Sequence, residues 1–126
     1  MVRINVMGQL TSLKAADFEE LMGWVTRKRR RFRVTGQSMV PLLHPGEEVL
    51  IDPLAYINHS PEPGDIVVAE HPNLPGFRLI KRVIAVFDTG DCILIGDNSS
   101  ESTDSRSFGA VPRHKIIGRV TSRFSH

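Results

Sequence analysis

At 126 residues the chain has the length of one compact domain, long enough to bury a single core and too short for two. Hydrophobic residues make up 40% and charged residues 24%, which excludes disordered, collagen-like and low-complexity classes. The net charge of +2 hides an uneven distribution, because six of the 16 basic residues lie in the run Arg27–Arg33. The rest of the chain is acidic, with ten basic residues against 14 acidic ones.

Cys92 is the single cysteine, which excludes an internal disulfide and any cysteine-based zinc site of the usual spacing. No segment reaches the roughly 18 consecutive apolar residues that a membrane-spanning helix needs, and the best early stretch, Ile4–Leu13, contains several polar residues. No small-residue cleavage site follows it, so it is not a convincing signal peptide. We therefore expect a soluble protein of the reducing cytoplasm. We predict no metal site and no cofactor, because paired ligand spacing is absent from the histidines His44, His59, His71, His114 and His126.

One amphipathic helix is predicted near the amino terminus. Over about Ser12–Lys28, apolar residues recur at i, i+3, i+4 and i+7, beginning with Phe18. Arginines at the end of this helix are favoured by its dipole, which explains part of the basic run. An alternative is that Arg27–Arg33 contacts an anionic membrane surface or nucleic acid. We treat residues 1–30 as one unit, the helix with the basic segment, and residues 31–126 as the main domain.

After the basic run the pattern changes to short runs rich in β-branched residues and separated by turns. Stretches such as His44-Pro45-Gly46 and Asp88-Thr89-Gly90-Asp91 are typical of turns. Six short strands behind one helix indicate a mainly β fold of the barrel or sandwich type. The predicted strands are Arg31–Thr35, Glu48–Asp52, Asp65–Glu70, Phe77–Phe87, Cys92–Ile95 and Ile116–Phe124.

Two residues could act as a nucleophile and a base. Ser38 lies in a turn between Gly36 and Pro41, where its hydroxyl can project and its N–H stays free to donate. Lys81 shares one face of a predicted strand with apolar residues. Burial favours the neutral amine, which makes a lysine an effective general base near neutral pH. Taken singly, an ordinary turn serine and a lysine that reaches to water from an edge strand are the plainer interpretations.

A third segment, Gly96–Gly109, is rich in serine and acidic residues and is too polar for a strand. Asp, Asn and Ser side chains bond neighbouring backbone groups, so this segment could be an ordered polar loop that supports a site. A solvated surface loop is the alternative.

Four segments occur in the order, and at spacings compatible with, the sequence boxes of a known family. They are Thr35–Pro41 around Ser38, Gly64-Asp65, Lys81-Arg82-Val83 and Gly96–Gly109. Over about residues 31–124 the chain resembles the type I signal peptidase family of serine proteases. It is most similar to a small branch of that family, the nickel-type superoxide dismutase maturation proteases.

The resemblance implies a signal-peptidase-like β core and a Ser/Lys dyad, with Ser38 as nucleophile and Lys81 as general base. It implies that Ser102 orients the lysine, and that loops around the site are tied together by Asp97, Asp104 and Arg106. The N–H of Ser38 would be one oxyanion donor; for the second, Thr35, a backbone N–H and water stay open. Substrates would bind extended in a cleft whose expected residues are Gly36, Gln37, Met39, Leu79 and Ile80.

Typical signal peptidases carry a spanning anchor at the amino terminus, whereas this sequence predicts an amphipathic helix and a basic run there. We therefore expect a cytoplasmic protein precursor as the partner, and by resemblance the propeptide of nickel superoxide dismutase as the segment removed. Three alternatives stay open: signal peptidase activity at a membrane surface reached through Arg27–Arg33, a self-cleaving repressor-type protease core, and a non-catalytic β-barrel that binds nucleic acid. Nucleic-acid binding is disfavoured because aromatic residues, which stack on bases, make up only 6% of the chain.

Overall fold

The computed structural model describes residues 29–124, with side chains from 29 to 123. The predicted helix at Ser12–Lys28 lies outside the described residues. The strands are β1 (Arg30–Arg33), β2 (Glu48–Asp52), β3 (Ile66–Glu70), β4 (Arg78–Val86), β5 (Cys92–Ile95) and β6 (Ile116–Phe124). One short helix, α1 (Ser105–Phe108), and two 3₁₀ turns, Ser99–Glu101 and Arg113–Lys115, lie between β5 and β6.

The six strands form one antiparallel sheet in the order β1-β2-β6-β3-β4-β5. Register shifts interrupt the pairing of β2 with β6, β3 with β6 and β4 with β5, and such bulges bend a sheet. The predicted mainly β fold is therefore confirmed as a curled six-stranded sheet. All six predicted strands are present, with ends that agree to within two residues.

The middle strand β3 is buried on both faces, which explains its continuous apolar sequence. Ile66 and Val68 belong to one core cluster, and Val67 and Ala69 belong to another. Lys81 lies directly opposite Val67 in the β3–β4 register. The lysine amine is therefore carried into an apolar interior by the central part of the sheet.

The described part of the basic run consists of Arg29 and the edge strand β1, and the end of the predicted helix at Lys28 lies outside the described residues. Arg29 precedes β1 and forms a largely buried ion pair with Asp52 at 3.3 Å, and burial lowers the pKa of its guanidinium. Arg31 and Arg33 both lie 3.9 Å from Glu48 on β2. Because β1 begins at Arg30, this strand starts one residue before the domain boundary predicted between residues 30 and 31.

Candidate active site

Ser38 lies in a tight turn that follows β1 and is pinned by a distant residue. Gly36 adopts a φ of 76°, a left-handed conformation that favours glycine. Asn98, in the loop after β5, donates from its backbone N–H to the carbonyl oxygen of Ser38 at 2.7 Å. Its side-chain amide donates to the carbonyl oxygen of Gln37 at 3.0 Å. Two hydrogen bonds therefore hold the turn that carries the serine against a loop sixty residues further along the chain.

Lys81 lies within β4 and is 4% exposed. Leu79 and Val83, on the same face of the strand, are also buried, as the alternation along β4 predicts. Loss of hydration lowers the pKa of the Lys81 amine from its ordinary value, with Asp104 acting to raise it and Arg106 to lower it.

Ser38 and Lys81 line the same cleft, which has a volume of about 220 Å³. Four of the residues predicted to form the cleft also line it: Gly36, Gln37, Leu79 and Ile80. Within residues 29–124 no hydrogen bond joins Ser38 directly to Lys81, an arrangement common in sites without substrate, where catalytic hydrogen bonds are long.

Lys81 begins a chain of hydrogen bonds that leads away from the cleft. Its Nζ donates to Ser102 Oγ at 3.0 Å, and Ser102 Oγ donates to Asp104 Oδ2 at 2.7 Å. Because the single hydroxyl proton of Ser102 is committed to Asp104, Ser102 can only accept from the lysine. A neutral Lys81 amine then donates one N–H to Ser102, and its lone pair stays available to accept another proton.

Asp104 is the fully buried centre of this network. It accepts from the N–H of Gly96 at 2.9 Å and from the Arg106 guanidinium at 2.6 and 2.9 Å. Burial acts to raise the pKa of Asp104, but the hydrogen bonds from Arg106, Gly96 and Ser102 hold it below its ordinary value. The carboxylate therefore stays ionised, and the neighbouring arginine offsets its tendency to keep Lys81 protonated.

Gly96 provides the space in which this network forms. A Cβ atom at this position would collide with the Ser102 side chain and with the carbonyl oxygen of Ser38. The next residue, Asp97, forms a two-point ion pair with Arg82 at 2.9 Å, which fastens the loop after β5 to β4. The four predicted supporting residues thus divide into two groups, with Ser102, Asp104 and Arg106 behind the lysine and Asp97 at the base of the loop.

The sequence of the chain matches a family model described as signal peptidase, peptidase S26, over residues 22–93 and 87–125. The chain belongs to this family. Its members are signal-peptidase-like serine proteases, which agrees with a serine and a buried lysine that line one cleft. The match disfavours the repressor-type and nucleic-acid-binding alternatives.

Relatives of this S26 protein include enzymes of mitochondria and of bacteria. The mitochondrial ATP-independent inner membrane protease subunit 1b of Arabidopsis thaliana is 37% identical over 70% of this chain and 65% of its own length. The mitochondrial inner membrane protease subunit 1 of Xenopus tropicalis is 34% identical over 71% and 65%, respectively. The probable signal peptidase I-1 of Synechocystis sp. is 27% identical over 72% and 68%. The chain spans just under two thirds of the length of the first two relatives. Within residues 29–124 no helix is long and apolar enough to cross a membrane.

One residue predicted for the cleft of this S26 protein lies elsewhere. Met39 is fully buried in the core cluster with Val34 and Leu43, so it does not line the cleft. The chain reverses direction at the Ser38 turn, and the residue after the serine points into the core instead of along the cleft wall.

Sequence reasoning missed Asn98 as well as five residues that line the cleft: Phe32, Phe77, Arg78, Glu101 and Thr103. Asn98 could have been found, because it follows the Gly-Asp pair that opens the polar segment and an Asn side chain readily bonds backbone groups. The wall residues depend on how β1, β4 and the loop after β5 approach each other in space, for which the sequence carries no local signal.

We expect Asn98→Ala to lower kcat for peptide cleavage about tenfold to a hundredfold while KM changes little. The variant removes the hydrogen bond to Gln37 and loosens the Ser38 turn, and small misplacements of a reacting group are costly. The contacts of Lys81 are untouched, so the pH profile keeps its midpoint. The measurement compares the steady-state kinetics of Asn98→Ala with those of Ser99→Ala, a control at an exposed neighbouring position. Unchanged kcat with reduced thermal stability would mean that Asn98 serves only the fold.

Proposed function

We propose that the chain is an endopeptidase in which Ser38 and Lys81 act as a catalytic dyad. The observation that carries the proposal is the placement of a buried serine and a buried lysine on one cleft, with Ser102 and Asp104 fixing the orientation of the amine. Membership of the S26 family supports it.

In the proposed reaction Ser38 Oγ attacks the carbonyl carbon of the scissile bond while the Lys81 amine takes the hydroxyl proton. The protonated lysine then gives that proton to the departing amine, so the peptide C–N bond breaks and an acyl ester of Ser38 is left. Water attacks the ester with Lys81 again as the base, which releases the acid and restores the serine. Arg106, by offsetting the charge of Asp104, keeps the amine free to accept these protons.

The turn around Ser38 offers donors for the oxyanion that forms in this reaction. Within the described part of the chain, the N–H groups of Gly36, Gln37 and Ser38 donate to no protein acceptor. We assign the first oxyanion donor to the N–H of Ser38 and the second to a backbone N–H of the same turn, since Gly36 brings no hydroxyl.

For the substrate we propose an N-terminal propeptide of a cytoplasmic protein, with the nickel superoxide dismutase precursor as the first candidate. Support for this finer assignment is the similarity to the nickel-type branch of three segments: the basic run before the Ser38 turn, residues 98–112 and residues 118–124. The cleavage then takes place in the cytoplasm.

A second candidate is cleavage of precursors presented at a membrane. The relatives from Arabidopsis thaliana and Xenopus tropicalis are named as inner membrane proteases, and this observation favours it. Contact of the basic run with an anionic surface would then bring the cleft to the substrate.

Incubation of the purified protein with each class of precursor tests these proposals. One arm uses a nickel superoxide dismutase precursor in buffer, and the other uses a signal-bearing precursor with anionic vesicles. We expect a single new amino terminus, detected by the mass of the product, in one arm with the wild type and in neither arm with Ser38→Ala. Cleavage of the vesicle-bound precursor alone would select the second candidate, and cleavage of neither precursor would contradict the endopeptidase proposal.

A further inference from the structure

A cation that has no ion-pair partner among residues 29–124 lies on the wall of the cleft. Arg78, the first residue of β4, is exposed and lines the cleft that contains Ser38 and Lys81. Its cross-strand neighbour is Glu70, which would ordinarily pair with it. The Glu70 carboxylate instead forms an ion pair with Lys115 at 3.4 Å. Within residues 29–124, no other carboxylate lies within ion-pair distance of Arg78.

The strand that carries Arg78 has an open edge at this point. On one side, β3 pairs with β4 from Arg78 to Arg82. On the other side, β5 pairs with β4 only from Arg82 to Val86. Among the described residues the segment Arg78–Lys81 is therefore flanked by a strand on one side only, and all four of its residues line the cleft. An extended peptide can pair with this edge.

A peptide that adds to this edge is held in a fixed register. Arg78 lies three residues before Lys81, a separation of about 10 Å along a strand at about 3.3 Å per residue. A bound peptide advances by the same distance per residue. If the scissile carbonyl lies between Ser38 and Lys81, the peptide residue beside Arg78 is about three positions from the bond that is cut.

We propose that Arg78 is a specificity-determining residue that selects peptides with an acidic side chain about three residues from the scissile bond. The inference rests on the proposed function for the location of the scissile bond. The Arg78 guanidinium is available to a peptide because Glu70, its cross-strand neighbour, forms an ion pair with Lys115 instead. A carboxylate on the peptide takes the place that Glu70 leaves empty, in a two-point geometry that a lysine would not provide.

The expected size of the effect follows from the exposure of the arginine. Ion pairs at an exposed site change an equilibrium by up to about fivefold, and salt weakens them. Replacing the cation with an anion doubles the change in charge, so we expect the preference for an acidic peptide to reverse in Arg78→Glu.

The main experiment measures binding, so it does not depend on catalysis. A Ser38→Ala protein is titrated into fluorescein-labelled peptides of about twelve Ala, Gly and Ser residues, enough to span the cleft in extended form. One central residue is Asp in one peptide and Asn in its twin, and anisotropy reports the dissociation constants. We expect the Asp peptide to bind about threefold to fivefold more tightly at low salt. The difference should vanish in the Ser38→Ala/Arg78→Gln double variant and change sign with Arg78→Glu.

Two matched variants in the same background separate a local ion pair from a general positive field. Arg33→Gln removes an exposed arginine that does not line the cleft, and the Asp preference should survive. Lys115→Gln frees Glu70 to pair with Arg78, and the preference should fall although Arg78 is still present. Equal binding of the two peptides, or a preference that persists without Arg78, would overturn the inference.

The wild-type enzyme on the same Asp peptide tests the register. Product masses should place the cut about three residues from the Asp, on one side of it, and cuts spread without relation to the Asp would refute the register. Failure to cleave any peptide or precursor would contradict the proposed function. The binding comparison would still decide whether Arg78 selects an acidic side chain.

Discussion

Replacing Lys81 with alanine is expected to lower kcat for peptide cleavage by at least about a thousandfold, and Ser38→Ala by at least as much. The lysine variant loses the proposed base, and the serine variant loses the proposed nucleophile. Folding is expected to persist in both, because each side chain lies at the boundary of the cleft. Single-turnover kinetics with circular dichroism checks both points. Ser107→Ala, an exposed serine of α1, is the matched control and should keep full activity.

Lys81→Arg separates the role of a base from that of a positive charge. Arginine keeps the charge but cannot be deprotonated in proteins, so this variant should be as inactive as Lys81→Ala. Substantial activity in Lys81→Arg would show that the residue acts as a cation and would refute the dyad.

The pH dependence of the wild type follows from the environment of the same amine. Burial lowers the pKa of Lys81, so kcat/KM should rise with pH along a curve whose midpoint lies below 10.5. Arg106→Gln removes a charge that lowers this pKa, and the midpoint should move to higher pH. A profile that stays flat from mild acid to alkali would contradict a lysine base.

Asp104→Ala is expected to destabilise the fold by about 2 to 4 kcal/mol at neutral pH. The variant leaves the N–H of Gly96 and the hydroxyl of Ser102 without an acceptor in a buried site, and Arg106 loses its ion pair. Urea unfolding followed by circular dichroism measures the loss. Asp88→Ala, at an exposed turn, is the control and should change stability little.

This contribution of Asp104 should disappear in acid. Its hydrogen bonds hold the folded pKa below the ordinary value of 3.8, so the carboxylate adds its full stability above about pH 5. Stability is then lost as the pH falls from there towards the folded pKa. The difference in free energy of unfolding between wild type and Asp104→Ala should therefore stay constant from pH 7 to about 5 and then shrink as the pH falls towards 3. A constant difference over the whole of this range would mean that packing and not charge explains the loss.

The strands could be predicted because their signals are local. Runs such as Glu48–Asp52 and Cys92–Ile95 are short apolar stretches bounded by polar or turn residues, which is sufficient to fix both ends. The burial of Lys81 could be predicted for the same reason, since its face follows from the alternation along β4. The described end of the basic run was harder to interpret, because arginines suit both a helix end and an edge strand.

The parts of the site that sequence reasoning missed depend on contacts between distant segments. Asn98 has the local signal of a residue that bonds backbone groups, but its partner Gln37 lies 61 residues away, and no period or turn signal identifies that partner. Met39 was assigned to the cleft because it adjoins Ser38, whereas the direction of a side chain in a tight turn depends on backbone angles that single residues do not specify. The availability of Arg78 could not be predicted either, because it depends on the ion pair between Glu70 and Lys115.

The loop after β5 holds both sides of the proposed active site, the serine turn through Asn98 and the lysine through Ser102. Ser38 and Lys81 are 43 residues apart in the chain, yet their spacing is set by the few residues between Asn98 and Ser102. The enzyme should therefore accept insertions in the hairpin that joins β3 to β4. A single residue added between Asn98 and Ser102 would move one wall relative to the other. We therefore expect natural members of the family to show no insertions or deletions in this short stretch.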